Sequence, residues 1–94
     1  MELRFLNDPE TGLPHIYEHG VTEEEVQQVL ARPIDDFPAR RNSRIALGPT
    51  WAGRILQVVY ARDPTPGSAF VVTAYEIEGK ALKAFRRRQR RKRR

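Results

Sequence analysis

Apolar residues recur along this chain in two rhythms, one of threes and fours in its first third and one of alternate positions through its second half. The first rhythm lies in VTEEEVQQVLARP, where Val26, Val29 and Leu30 form a single stripe at helical spacing. That stretch also carries its own boundaries. Thr22 stands as an N-cap, Glu25 three positions on can return the hydrogen bond, and Val21 can staple onto Val26. Glu23, Glu24 and Glu25 suit the positive end of a helix, and Pro33 halts it at or before Arg32. The pattern predicts a helix over residues 22–32. Upstream, Pro14 suits the first position of a short helix through HIYEH that Gly20 ends in a left-handed cap. MELRFLND reads as a short first strand with Leu3 and Phe5 on one face.

The second rhythm predicts strands. RIALG turns Ile45 and Leu47 inward, and Gly48, Pro49 and Gly53 place a turn around Trp51. RILQVVYAR is apolar on both faces, with Ile55 and Val59 opposite Leu56, Val58 and Tyr60, which suits the centre of a sheet covered at least partly on its second side. DPTPG is a turn, and SAFVVTAYEIE is a further strand ending at Gly79. Three consecutive strands with short links predict an antiparallel meander. IDDFPARRN reads as loop. After Gly79 the residues favour helix, and Ala81, Leu82, Ala84 and Phe85 supply about one apolar turn. Beyond Arg88 nothing apolar remains to hold the chain down, so fraying is expected there. The expected architecture is α+β: a meander plus an N-terminal strand, two N-terminal helices packed on that sheet, and a basic C-terminal helix or tail. One domain spans residues 1–85 and the tail residues 86–94.

Charge sharpens that division. Residues 1–79 hold seven Arg against twelve Asp or Glu, whereas residues 80–94 hold ten Lys or Arg and no acid. Lys80, Lys83, Arg86, Arg87, Arg88, Arg90, Arg91, Lys92, Arg93 and Arg94 form a segment that attracts phosphate by counterion release. RNA is the expected partner, as messenger or ribosome. The same tail can also be a solvated solubility device, fold back on the acidic body, or meet an acidic protein. There is no cysteine, so disulfides and thiolate metal sites are excluded. The start lacks a basic segment followed by an apolar one, and no apolar run approaches the roughly 20 residues that cross a bilayer, so a cytoplasmic protein without membrane insertion is expected.

Glycine-rich phosphate loops and the serine-hydrolase elbow have no counterpart here. His15 and His19 share a helical face at a spacing zinc sites use, but a site needs three or four ligands, so no metal and no cofactor is expected. The more coherent set belongs to the sheet. Alternation puts Arg54, Tyr60 and Arg62 on one face of their strand, Arg44 opens the strand before it, and Tyr75 lies in the one after. Arginines with tyrosines can hold a phosphodiester and stack a base. The same residues also serve commonly as core aromatics and strand-end charges.

The succession HIYEHGVTEEEVQQVL, RIALG, GRILQVVYAR and VVTAYEIEGKALKAFRR resembles the small BrnT-like toxins and their uncharacterised relatives in the RelE superfamily. The resemblance covers roughly residues 15–88. It implies a small RelE-like domain, encoded beside a cognate antitoxin, that cleaves RNA without metal or arrests translation. By position, His19 and Gly20 match the HG step before the capped helix, Arg44 the strand opener, and Arg54 and Tyr60 the strand led by Gly-Arg. Where BrnT-like sequences tend to place an Arg after the last strand's small residues, this chain has Tyr75. Cleavage by attack of the ribose 2′-OH needs a base, an acid and cations for the phosphoryl oxygens. Arg44 and Arg54 are the expected phosphate clamps, Tyr60 or Tyr75 the stacking or proton-transfer groups, and His19 the acid or base.

Overall fold

Strand pairing organises the molecule. The computed structural model describes residues 2–63 and 67–92, in which β1 (Glu2–Phe5), β2 (Asp35–Pro38), β3 (Arg44–Pro49), β4 (Ile55–Arg62) and β5 (Ser68–Glu76) form one sheet in the order β1-β5-β4-β3-β2. Strands β3, β4 and β5 are the expected antiparallel meander. The sheet as a whole is mixed, because β1 runs parallel to β5. Residues 64–66 of the DPTPG turn, Met1 of the first strand, and Arg93 and Arg94 of the basic run lie outside the described residues.

The capped segment forms helix α1 (Glu23–Ala31), with both hydrogen bonds of its capping box in place: Glu25 N–H donates to Thr22 Oγ1 at 3.1 Å and Thr22 N–H to Glu25 Oε1 at 3.0 Å. Its stripe of Val26, Val29 and Leu30 is buried with Val21, Ile16, Leu56, Val58, Tyr60 and Val71 on one sheet face. Removing each such aliphatic side chain from water contributes about 1.5–3 kcal/mol. The HIYEH segment is a 3-10 turn (His15–His19) ended by Gly20 at φ 68°, and it anchors through the buried Ile16. The first of the two expected N-terminal helices is therefore a single short turn.

The other helix, α2 (Gly79–Lys92), covers the opposite face, where Phe85 and Leu82 meet Leu47, Ile77, Ile45 and Ile55. Strand β4, in the middle, is thus covered by α1 on one side and, around Ile55, by α2 on the other, in keeping with its doubly apolar pattern. Two expectations change. IDDFPARRN contains strand β2, an edge strand paired to β3 from Asp35↔Leu47 to Pro38↔Arg44. Its Pro38 and two aspartates conceal it from pattern reading, yet they suit an edge, where an absent N–H and added charge deter further pairing. The segment beyond Arg88 is helical to Lys92, and that same edge strand holds it there: Lys92 Nζ lies 2.7 Å from Asp35 Oδ1 and Arg88 Nε 3.6 Å from Asp35 Oδ2.

Gly48 marks a tight approach between strand and loop. A Cβ there would stand 3.3 Å from the Arg32 carbonyl oxygen, so the chain leaving α1 crosses β3 at backbone distance.

Candidate nucleic-acid interface

The five residues expected to act on RNA do not converge. Arg54 precedes β4 and Tyr60 follows it by six positions, which separates them by about 20 Å along a strand. Each end has its own cluster.

At the far end, Arg44 and Tyr60 meet over Asp36. Arg44 Nε donates to Asp36 Oδ1 at 2.8 Å, and the Tyr60 hydroxyl donates to Asp36 Oδ2 at 2.5 Å. Register explains the meeting, since Arg44 pairs with Tyr60 across β3 and β4 while Asp36 lies on β2 opposite Ala46. Tyr60 is only 3% exposed; burial first, and its bond to Asp36 second, push its phenol above the ordinary range. The hydrogen bond to Asp36 raises Arg44. These groups satisfy one another, and a buried neutral phenol is a poor base.

At the near end, Arg54 is a three-way tie. Its Nη1 donates to Glu25 Oε2 at 2.8 Å and to the Gly20 carbonyl at 3.2 Å, and its Nε donates to Glu76 Oε1 at 3.1 Å. Burial pulls the guanidinium down, but Glu76 and Glu25 together outweigh it and hold the group above its usual value. Arg54 therefore fastens the cap of the 3-10 turn, the first turn of α1 and the end of β5.

His19 and Tyr75 do come together, with ring centroids 5.9 Å apart, and His15 meets His19 edge-on at 5.2 Å. Tyr75 pairs with Gln57, whose Nε2 donates to the phenol oxygen at 2.7 Å, and so belongs to the α2 face, opposite the one that Arg54 and Glu76 share. Asp8 and Glu18 stand beside His15, with the three ligating atoms within 4.8 Å of one another. Their mutual hydrogen bond lowers Asp8 and raises Glu18.

The cations of α2 fare differently from those of the body. Lys80, Lys83, Arg86, Arg87, Arg90 and Arg91 are exposed, and none has a carboxylate within salt-bridge distance among the described residues. Leu82, Phe85 and the half-buried Gln89 turn toward the sheet, while Arg88 and Lys92 are held by Asp35. At ~1.5 Å rise per residue the free cations span about 16 Å along a folded rod.

Sequence reasoning gave Trp51 a turn but no role. It is 85% exposed and overhangs a cleft of about 640 Å³ between the β3–β4 turn and the outer side of α1, with its backbone N–H donating to Gln28 Oε1 at 2.8 Å. The signal was present: a tryptophan framed by Pro49 and Gly53 in a tight turn has no neighbours to bury it.

A family model described as Domain of unknown function (DUF4258) matches residues 15–76, from the start of the 3-10 turn to the last residue of β5. No curated protein and no solved structure matches the chain. No helix among the described residues is long and apolar enough to cross a membrane.

Proposed function

The chain belongs to the DUF4258 family, and from that premise we propose that it is an RNA-binding effector that grips backbone phosphates with helix α2. One observation carries the reading: six exposed cations without carboxylate partners among the described residues stand on a helix whose other side is fastened to the sheet. Fixing them in advance removes the ordering cost that a floppy basic tail would meet on binding. The same charges on an acidic body also explain the split composition, since phosphate attraction needs to be local to the helix.

The test is anisotropy of a labelled RNA oligonucleotide titrated at several salt concentrations. Neutralising six phosphates gives a slope of log affinity against log salt near −4, at roughly 0.7 per phosphate for single strands. Replacing Arg86, Arg87, Arg90 and Arg91 by Gln should flatten that slope by about 3. A parent protein that ignores RNA at 50 mM salt, or a quadruple variant with an unchanged slope, sinks the reading.

A second reading, metal-independent ribonuclease toxin of a two-gene toxin–antitoxin pair with a RelE-like domain, has the His15–His19–Tyr75 cluster in its favour. There an imidazole stands beside a phenol at the rim of the face that carries α2, two groups of the kind that serve as acid and base in general acid–base catalysis. Induced expression followed by mapping of RNA ends separates the two: new ends that disappear in His19→Ala support cleavage, and growth arrest without them supports binding.

A further inference from the structure

Helix α2 covers only part of its sheet face. It lies over Ile55, Leu47 and Asp35 and borders Ile45. Beyond it the register places Phe37, Ile45, Val59 and Thr73 in one row across four strands, with Tyr75 in the neighbouring row. Val59 and Thr73 are half-buried, while Phe37 is 41% and Tyr75 36% exposed. At the far margin the Arg4 guanidinium lies over the Phe70 ring, 5.7 Å from its centroid.

We propose that this open half of the sheet is a stacking platform for single-stranded RNA, with Phe37 and Tyr75 receiving bases while the neighbouring cations of α2 hold the phosphates. The inference rests on the RNA-binding reading above and names the kind of RNA. Three features favour this occupant. Two exposed rings stand about 16 Å apart, three strand spacings across and one row along, a span suited to several extended nucleotides. The rings offer faces to any base, and a base is free to stack only when it is not already stacked inside a duplex. The bordering charge is complementary to phosphate and repels a second copy, since two copies meeting by this face would bring their α2 cations together.

The experiment uses the full chain with a fluorescein-labelled 12-nucleotide single-stranded RNA and a 12-base-pair RNA duplex. The single strand is expected to bind at least tenfold more tightly. Phe37→Leu, which keeps an apolar side chain, and Tyr75→Ala should each weaken single-strand binding about 5- to 100-fold. Both should leave the duplex affinity and the salt slope at parental values, and Tyr75→Phe should restore binding because the ring remains. Equal affinity for both RNAs, or Phe37→Leu and Tyr75→Ala variants that bind the single strand like the parent, overturns the platform and leaves α2 as the whole RNA site. Absence of binding to either RNA removes the RNA reading itself.

Discussion

Replacing Arg54 by Ala distinguishes a structural tie from a phosphate clamp. A clamp held in reserve for RNA would leave thermal stability untouched and remove activity. The geometry points the other way, because all three contacts of Arg54 are internal and join parts of the chain distant in sequence: Gly20, Glu25 and Glu76. Breaking a fully buried ion pair costs ~3–5 kcal/mol and breaking an exposed one ~0–1. The Arg54 side chain is 30% exposed and those of Glu25 and Glu76 18% and 40%, so solvent screens part of the interaction and a loss of about 2 kcal/mol is appropriate. For a domain of this size that corresponds to a fall of about 8–16 °C in Tm. Calorimetry at pH 7 in low and high salt measures it, and salt should narrow the gap without closing it, since the Glu76 arm is the more exposed. A double-mutant cycle with Glu25→Gln assigns the coupling. A Tm within 2 °C of the parent, roughly a quarter of the smallest fall expected, refutes the structural role and returns Arg54 to the list of phosphate ligands.

Asp35→Asn should release the end of α2: amide exchange across residues 86–92 rises while residues 80–85, anchored by Leu82 and Phe85, keep their protection, and unchanged exchange throughout would count against electrostatic docking. Thr22→Ala removes the cap that accepts from Glu25 N–H and should cost about 1 kcal/mol in urea unfolding, with Thr22→Ser recovering most of it. Tyr60 has a raised folded pKa, so its contribution is complete below the ordinary phenol value near 10 and is lost as pH rises from there through the folded value. Absorbance titration at 295 nm should show late ionisation from Tyr60 and from Tyr17, whose hydroxyl donates to Glu23; Tyr60→Phe should remove one phenol from that late step, and an unchanged late amplitude in that variant refutes the assignment.

Helix α1 was legible because everything that defines it is local: the cap, the box, the staple and the stripe lie within a dozen consecutive residues. The meander was legible for a similar reason, since alternating Val, Ile and Tyr between short turns leave few other pairings. The candidate site was less so. Sequence parity correctly put Arg54 and Tyr60 on one face, but parity does not state what waits across the sheet: Asp36 on β2 occupies Arg44 and Tyr60, while Glu76 on β5 and Glu25 on α1 occupy Arg54.

What the chain determined by itself was the α+β class, the central strand with apolar residues on both faces and the concentration of positive charge at its end. What only the tertiary structure decided was the state of that end. Asp35 belongs to a segment whose polar composition reads as loop, and it becomes an edge strand through hydrogen bonds to β3. Once paired, it places a carboxylate under Arg88 and Lys92, so a run of like charges that would repel itself into coil is held as helix. The segment Asp35–Pro38 carries no apolar alternation and takes its strand form only from β3, which is why the strand and the ordered helix end went unread together.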